Sequence, residues 1–484
     1  MLFNSFEFLI FLPIVFLLYW FVFNKYLTGQ NALLLIASYV FYAWWDWRFL
    51  FLLLFSTGLD YLSGIKIGEA KNEITKRRWM WFSVIVNLGF LCFFKYYNFF
   101  IESWVEAWGR LHYKMNPWTL KILLPIGISF YTFHGLSYII DIYNDRIKPT
   151  RNWIQYCVFV SYFPLLVAGP IERATHLLPQ IKHKRVFKYE QGIEGIRLMI
   201  WGLFKKIVIA DSIAPSVNDI FSHYHIYGGT TLILGSIYFA IQIYADFSGY
   251  TDIARGVSKL FGLELILNFN FPYFSKSIPE FWHRWHISLS SWMNDYVFTP
   301  FAIEFRNIGK WGTYTAILLT FLLSGLWHGA GWNFIAWGGL HGLFYFPYII
   351  LSKKKFKSVS GGKIVNSKIK TRELLNIIIT FSLVSFALIF FRSSTLHSSI
   401  GYIKKMISDL IKHPGQILLP PIQLATLWYV IVLLVFDLIK YSTTFRLRLQ
   451  KIKYLTSLVH IILIFAIINS LFRVDTGTFI YFQF

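Results

Sequence analysis

Hydrophobic residues along this chain run on continuously; they do not alternate with polar ones. Uncharged apolar stretches occupy Phe8–Asn24, Tyr26–Trp45, Ile122–Ile140, Asn152–Ile171, Ile226–Ala245 and Leu374–Phe391. A helix that crosses a bilayer needs about 20 such residues, so each stretch predicts a transmembrane helix. Continuous runs exclude a transmembrane β-barrel, whose strands alternate. The pattern predicts an all-α fold, a polytopic helical membrane protein.

The longest run, Trp311–Ser352, holds no Asp, Glu, Lys or Arg over 42 residues. As one helix it would be about 63 Å long, twice the hydrocarbon core, so it must double back. The stretch "LLSGLWHGAGW" at 322–332 supplies the turn, with Gly325, Gly329 and Gly331 as the residues that permit it. Two other runs carry internal breaks, "LLPIGISFYTFHG" and "SYFPLLVAGP". Proline and glycine at membrane depth predict re-entrant or broken helices there. Asp246–Lys310 contains no clean span and reads as a buried, irregular segment lining a polar cavity. The chain is expected to form one membrane domain, 1–484. Its parts are N-terminal spans 1–120, a core region 121–345 carrying the site, and C-terminal spans 372–484.

Composition agrees: 56% of residues are hydrophobic and only 14% charged, against about 25% charged in soluble domains. The net charge of +22 falls in short clusters, "KRR" at 76–78, "IKHKRVFK" at 181–188, "SKKKFK" at 352–357 and "RLRLQKIK" at 446–453. Lys and Arg mark cytoplasmic loops and attract anionic lipid, so the charge implies a bilayer and not nucleic acid. Cytoplasmic placement of these clusters puts spans at 7–24, 30–45 and 49–64 before Lys76, with the N-terminus outside and a fourth span at 79–97 returning outward. Both ends of Trp311–Ser352 are then cytoplasmic, and His328 lies at outer or central depth. Beyond it, a span at 374–391 leads to an external amphipathic helix, "SIGYIKKMISDLIKH" (399–413), and to Pro414, Pro420 and Pro421. Spans at 426–438 and 454–473 follow, and the terminal "FIYFQF" is expected outside. The opening "MLFNSFEFLIFLPIVFLLYW" lacks a basic n-region and a cleavage site, so it reads as a span and not as a cleavable signal. Cys92 and Cys157 lie in apolar runs and give no disulfide or metal spacing.

Ionisable residues within a membrane domain mark functional sites by default. The candidates are His134, Asp246, Asp252, His283, His286, Asp295, His328 and His341. At a glycine-rich break, the His328 imidazole can titrate near neutrality and take a proton from a hydroxyl; a buried histidine bonded to a carbonyl is the plainer alternative. His283 and His286 would share a face on a helix. No Glu or Cys stands at ligand spacing beside them, so neither zinc nor a resident cofactor is expected. Trp282, Trp285 and Trp292 would wall a site or anchor at an interface. Asp246 and Asp252 would relay protons, hold Arg255 or cap a break, and His134 and His341 would make packing or helix–helix hydrogen bonds. These residues leave open both an enzyme and a proton-coupled transporter. Against the transporter, residues 1–200 hold no counterpart of the His286/His328 pair.

The stretch "EFWHRWHISLSSWMNDYVFTP" (280–300), followed by "LLSGLWHGAGWNFIAWGGLHG" (322–342), resembles the signature pair of the membrane-bound O-acyltransferases. With "LLPIGISFYTFHGLSYIIDIY", "AGPIER", "YADFSGYTDIARG" and "FIYFQF", it is similar to the bacterial branch that acts in alginate O-acetylation and teichoic-acid D-alanyl transfer. The resemblance covers nearly the whole chain. It implies a ring of transmembrane helices around a thin polar core with re-entrant helices, in a multi-pass protein of the bacterial inner membrane. It implies that His328, in "WHG", is catalytic and that His286, in "RWH", is its partner. His283, Trp282, Trp285, Trp327, Ser290, Asn294, Asp295, Asp246 and Asp252 would line or support the cavity. The acyl donor would be a cytoplasmic thioester such as acetyl-CoA, bound as substrate. The acceptor would be an extracytoplasmic polysaccharide or a periplasmic esterase-like partner of SGNH type, with D-alanyl transfer as the alternative chemistry. His283 and Asn294 depart from the branch's usual residues, as does "TPFAIEFRNIGKWG".

Overall fold

The computed structural model describes residues 1–113, 115–350, 371–413, 424–441 and 453–471. Among them there are helices and no strand. The clusters at 352–357 and 446–452, Pro414, Pro420, Pro421 and the terminal "FIYFQF" lie outside the described residues. The chain groups into two compact units, Met1–Met199 with Ala254–Ile266, and Ile200–Ile253 with Leu267–Phe484. Among the described residues, four helices are long and apolar enough to cross a membrane: Arg48–Glu69, Glu73–Arg110, Gly229–Leu260 and Thr371–Arg392. The architecture is that of a polytopic helical membrane protein.

In the first unit, Ser5 caps α1 (Phe6–Leu17) by accepting from the Phe8 N–H, and α2 (Leu27–Ala43) and α3 (Arg48–Glu69) follow. Asn72 caps α4 (Glu73–Leu91), which continues through a π turn into α5 (Tyr97–Arg110). The predicted fourth span, 79–97, is therefore the middle of a longer rod. The basic cluster at 76–78 lies inside the first turns of α4, because a good cap starts the helix before the charges. Between α3 and α4 the packing is polar. Asp60 Oδ1 accepts from Ser83 Oγ at 2.6 Å and Asn87 Nδ2 at 2.7 Å.

Neither broken run is a single span. Helix α6 (Ile128–Tyr143) starts only after Gly127, whose φ of 79° suits glycine. Helix α7 (Trp153–Ser161) stops at Tyr162, and a single turn, α8 (Phe163–Leu166), precedes the "AGPIER" segment. Interior side chains satisfy the backbone freed at these breaks. The Phe163 N–H donates to Ser38 Oγ at 3.0 Å, and the Glu172 N–H donates to His134 Nε2 at 3.1 Å. Glu172 is fully buried; it accepts from the Ile266 N–H at 2.7 Å and pairs with His176, in α9 (Ala174–Lys182), at 2.8 Å. That hydrogen bond holds the His176 imidazole above the usual histidine pKa.

Helix α10 (Tyr189–Leu203) leads through a π turn, Phe204–Ala210, to α11 (Asp211–Ser222), and α12 (Gly229–Leu260) follows. The expectation that regular structure ends at Asp246 is corrected here, because α12 runs unbroken through "YADFSGYTDIARG" to Leu260. Its charges are neutralised from the π turn. Lys206 Nζ lies 2.9 Å from Asp246 and 2.9 Å from Asp211, and Lys205 Nζ lies 2.7 Å from Asp252. Paired charges are tolerated at membrane depth. The irregular part begins after Leu260 and holds α13 (Ile278–Arg284), α14 (Ile287–Met293), a π turn at Asn294–Phe298 and α15 (Thr299–Glu304).

The run Trp311–Ser352 folds back as read from sequence. Helix α16 (Gly309–His328) and α17 (Trp332–Ile350) flank a turn at 329–331. The glycines supply room at the reversal and not a left-handed backbone, since none of Gly325, Gly329 and Gly331 has a positive φ. Gly329 has an extended backbone, φ −158°, and the Phe334 ring fills the space beside it. Gly325 lies inside α16, where a Cβ would collide with the Phe334 carbonyl; across the crossing, a Cβ on Gly338 would collide with the Phe321 carbonyl. These glycines let two helices touch. After α18 (Thr371–Arg392), the predicted amphipathic helix is α19 (Leu396–Lys412), opened by a Thr395/Ser398 capping box. Its buried Tyr402 donates to the Leu232 carbonyl at 2.6 Å. Helices Leu424–Tyr441 and Lys453–Leu471 match the last two predicted spans.

Candidate active site

His328 is the last residue of α16, placed where the chain must reverse. Its side chain is 5% exposed, and aromatic rings enclose it. The ring centroids of Trp327, Trp337 and Phe391 lie at 4.9, 5.0 and 5.3 Å. The imidazole opens on a narrow pocket of about 10 Å³ shared with Phe281, Trp285, Trp337 and His341, which is room for about one water or one hydroxyl.

His341 stands three turns along α17 from the reversal. Trp282 Nε1 donates to its Nδ1 at 3.3 Å, the helix–helix hydrogen bond expected from the sequence, and His341 also lines the pocket. Trp337 lies 5.0 Å from both imidazoles, and its Nε1–H has no hydrogen-bond partner among the described residues. The pocket thus holds two histidines and an unsatisfied indole donor in an apolar wall.

His286 is held differently. Helix α13 ends at Arg284, and His286 adopts a left-handed backbone, φ 43°, that restarts the chain as α14. Asn268 fixes this kink. Its carbonyl accepts from the Ile287 N–H at 2.9 Å, and its Oδ1 accepts from the Ser288 N–H at 3.1 Å and Ser288 Oγ at 2.9 Å. A backbone N–H can only donate, so the amide oxygen must face it. The His286 Nδ1, 3.2 Å from that oxygen, then carries the proton and leaves Nε2 as an acceptor. The Trp327 ring meets both site imidazoles, with centroids 6.3 Å from His286 and 4.9 Å from His328.

The profile of the membrane-bound O-acyltransferase family matches residues 119–353, which include both His286 and His328. Over 403 residues the chain is 40% identical to the probable alginate O-acetylase AlgI of Pseudomonas aeruginosa, covering 82% of this chain and 73% of that protein. The chain belongs to the membrane-bound O-acyltransferase family. It is also 34% identical over 428 residues to the peptidoglycan O-acetyltransferase of Helicobacter pylori, covering 82% of this chain and 78% of that protein. With the teichoic acid D-alanyltransferase of Bacillus subtilis it shares 30% over 290 residues, 56% of this chain and 69% of that one. It is an acyltransferase.

At this candidate site of an O-acyltransferase-family chain, the structure gathers only some of the residues read from sequence. His328 and Trp285 line the pocket, Trp282 donates to His341, which also lines it, and Trp327 packs against both His328 and His286. His283 and His286 do not share a helix face, because the chain kinks at Trp285, and His283 points out into the exposed surface. Ser290 Oγ donates to the Trp285 carbonyl at 3.2 Å and so braces the kink. Asn294 is exposed and donates to Asp295 at 2.9 Å, away from the pocket lining. Trp292 is buried against Tyr296. Asp246 and Asp252 pair with Lys206 and Lys205; they do not cap a break. His134 accepts from the Glu172 backbone in the first unit. The sequence reading missed Asn268, Trp337, Lys205 and Lys206 altogether. Two lysines inside the apolar "GLFKKIVIA" were the signal for a buried ion-pair network.

Proposed function

We propose that this chain moves an acetyl group from a cytoplasmic thioester, acetyl-CoA, to a hydroxyl on the far side of a bacterial inner membrane, with His328 as the catalytic base. The acceptor is an extracytoplasmic polysaccharide or an esterase-like periplasmic partner of SGNH type, and both chain termini lie outside. The observation that carries the reading is His328 at the reversal of the α16–α17 hairpin, facing a pocket of hydroxyl size. Two named O-acetyl-transferring relatives each align over 82% of the chain, against 56% for the D-alanyl transferase, which favours acetyl as the group.

His328 takes the proton of the acceptor hydroxyl as its oxygen attacks the thioester carbonyl. The tetrahedral adduct carries its negative charge on the former carbonyl oxygen, and the Trp337 Nε1–H is a donor available to it. The C–S bond then breaks, and the thiolate leaves with the proton that His328 returns. Atoms balance without a metal or bound cofactor. His286 Nε2, as an acceptor, orients the incoming hydroxyl; its tautomer does not suit donation to the oxyanion.

The test uses inverted membrane vesicles given labelled acetyl-CoA and the endogenous polymer. Wild-type vesicles should form ester-linked label, and His328→Gln should lower the rate at least ~100-fold at equal protein level, the scale of general-base catalysis. A rate within twofold of wild type would remove His328 from the mechanism.

A further inference from the structure

The basic segment at 181–188 does more than orient the chain. Arg185 is only 6% exposed, and its charge is uncompensated by any carboxylate among the described residues. Nη2 donates to Asn31 Oδ1 at 2.5 Å, and the guanidinium carbon lies 5.6 Å from the Tyr19 ring centroid. Nε and Nη1 are buried and have no hydrogen-bond partner among the described residues. The guanidinium thus has an amide and the Tyr19 side chain as neutral partners, and a buried cation with no carboxylate is costly unless something brings it a counter-charge.

The place for that counter-charge is next to it. Arg185 lines a groove of about 470 Å³ whose other walls are Phe16, Trp20, Phe21, Phe187 and Asn24, with Lys184 exposed at its edge. No acidic residue lines it. The groove is built, not incidental. Trp20 Nε1 donates to the Leu260 carbonyl at 2.8 Å, and Gly262, at φ +75°, packs against the Arg185 stem. The apolar wall reaches the surface: Phe21 is 74% exposed and Phe187 45%. Aromatic rings facing outward beside lysines are the composition of a membrane–water interface.

We propose that this groove binds a phosphate-bearing amphiphile, an anionic phospholipid. Its phosphate lies beside the exposed Lys184 and answers the uncompensated charge of Arg185, and an acyl chain lies along Phe16, Trp20 and Phe21. The aromatic wall selects a lipid as the source of the phosphate over a soluble phosphoester.

Native mass spectrometry of the full-length protein released from detergent tests this. Phosphatidylglycerol, phosphatidylethanolamine and, separately, coenzyme A are the probes. The wild type should retain phosphatidylglycerol at least tenfold better than phosphatidylethanolamine. Arg185→Gln should reduce that preference to within twofold, while Lys184→Gln and Phe21→Ala weaken it by a smaller factor. If Arg185→Gln does not fold, the wild-type preference and the two edge variants decide. Equal retention of both lipids by the wild type, or an undiminished preference in Arg185→Gln, overturns the proposal. So does Arg185-dependent binding of coenzyme A without any lipid preference, which would make the anion a soluble phosphate.

Discussion

At the scale of single residues, the site depends on hydrogen-bond direction more than on the presence of histidines. Asn268 Oδ1 collects the Ser288 N–H, the Ser288 hydroxyl and His286 Nδ1, so one amide sets the tautomer of the second signature histidine. Asn268→Leu should therefore lower kcat at least ~10-fold with little change in KM, a loss of the order seen when a supporting partner of a functional histidine is removed. A pure KM effect would mean that His286 does not depend on Asn268. Trp337→Phe keeps the ring beside His328 and deletes only the unsatisfied N–H. It should lower kcat by about 10²-fold while the melting temperature holds, the cost of one oxyanion donor. An unchanged kcat would assign the indole to packing alone. His328 and His286 were legible because they sit in distinctive motifs. Asn268 and Trp337 were not, because an asparagine in an aromatic run and a ring at helical spacing look like core until the fold sets them beside the two histidines.

At the scale of elements, close packing and buried charge decide which helices form and where they touch. The α16–α17 crossing is set by Gly325 and Gly338, each with a backbone carbonyl where its side chain would be. Gly325→Ala should destabilise the protein by about 1–3 kcal/mol, the range for overpacking. Gly339→Ala should be neutral, since its Cβ would meet Leu322 at an ordinary 3.5 Å. Detergent-phase thermal melting of the two variants separates these outcomes, and equal melting temperatures would refute the close crossing. The Lys206 ammonium bridges two buried carboxylates. Lys206→Met leaves both uncompensated and should cost about 3–5 kcal/mol, which the same melting experiment reads. Sequence marked the helix starts, the hairpin at 311–352 and the two broken runs, because apolar length, proline and glycine act locally. It misplaced the end of α12, because the charges at Asp246 and Asp252 read as interruptions. Their neutralising lysines lie about forty positions away on another element, and pairing over that distance leaves no local periodicity.

At the scale of the molecule, the proposed transfer is directional, and it assigns the direction to one hairpin. Helix α16 has 20 residues, about 30 Å at the α-helical rise, the thickness of the hydrocarbon core. Arg306 precedes it and Ala330 follows His328, both exposed, and the proposed function requires them to lie on opposite sides of the bilayer. In that proposal the Lys and Arg before the helix put the Arg306 end in the cytoplasm. The proposed thioester then arrives at that end and the hydroxyl at the other, where His328 stands at the reversal. Single-cysteine reporters test this after Cys92, which is exposed, and Cys157, which is buried, are replaced by serine. Arg306→Cys should react with a membrane-impermeant maleimide in inverted vesicles and stay unlabelled in intact spheroplasts, and Ala330→Cys should show the reverse. Labelling of both from one side would make α16–α17 a re-entrant loop. The acyl group would then have no path across the membrane at His328, and transfer would have to be completed on the side from which the thioester comes.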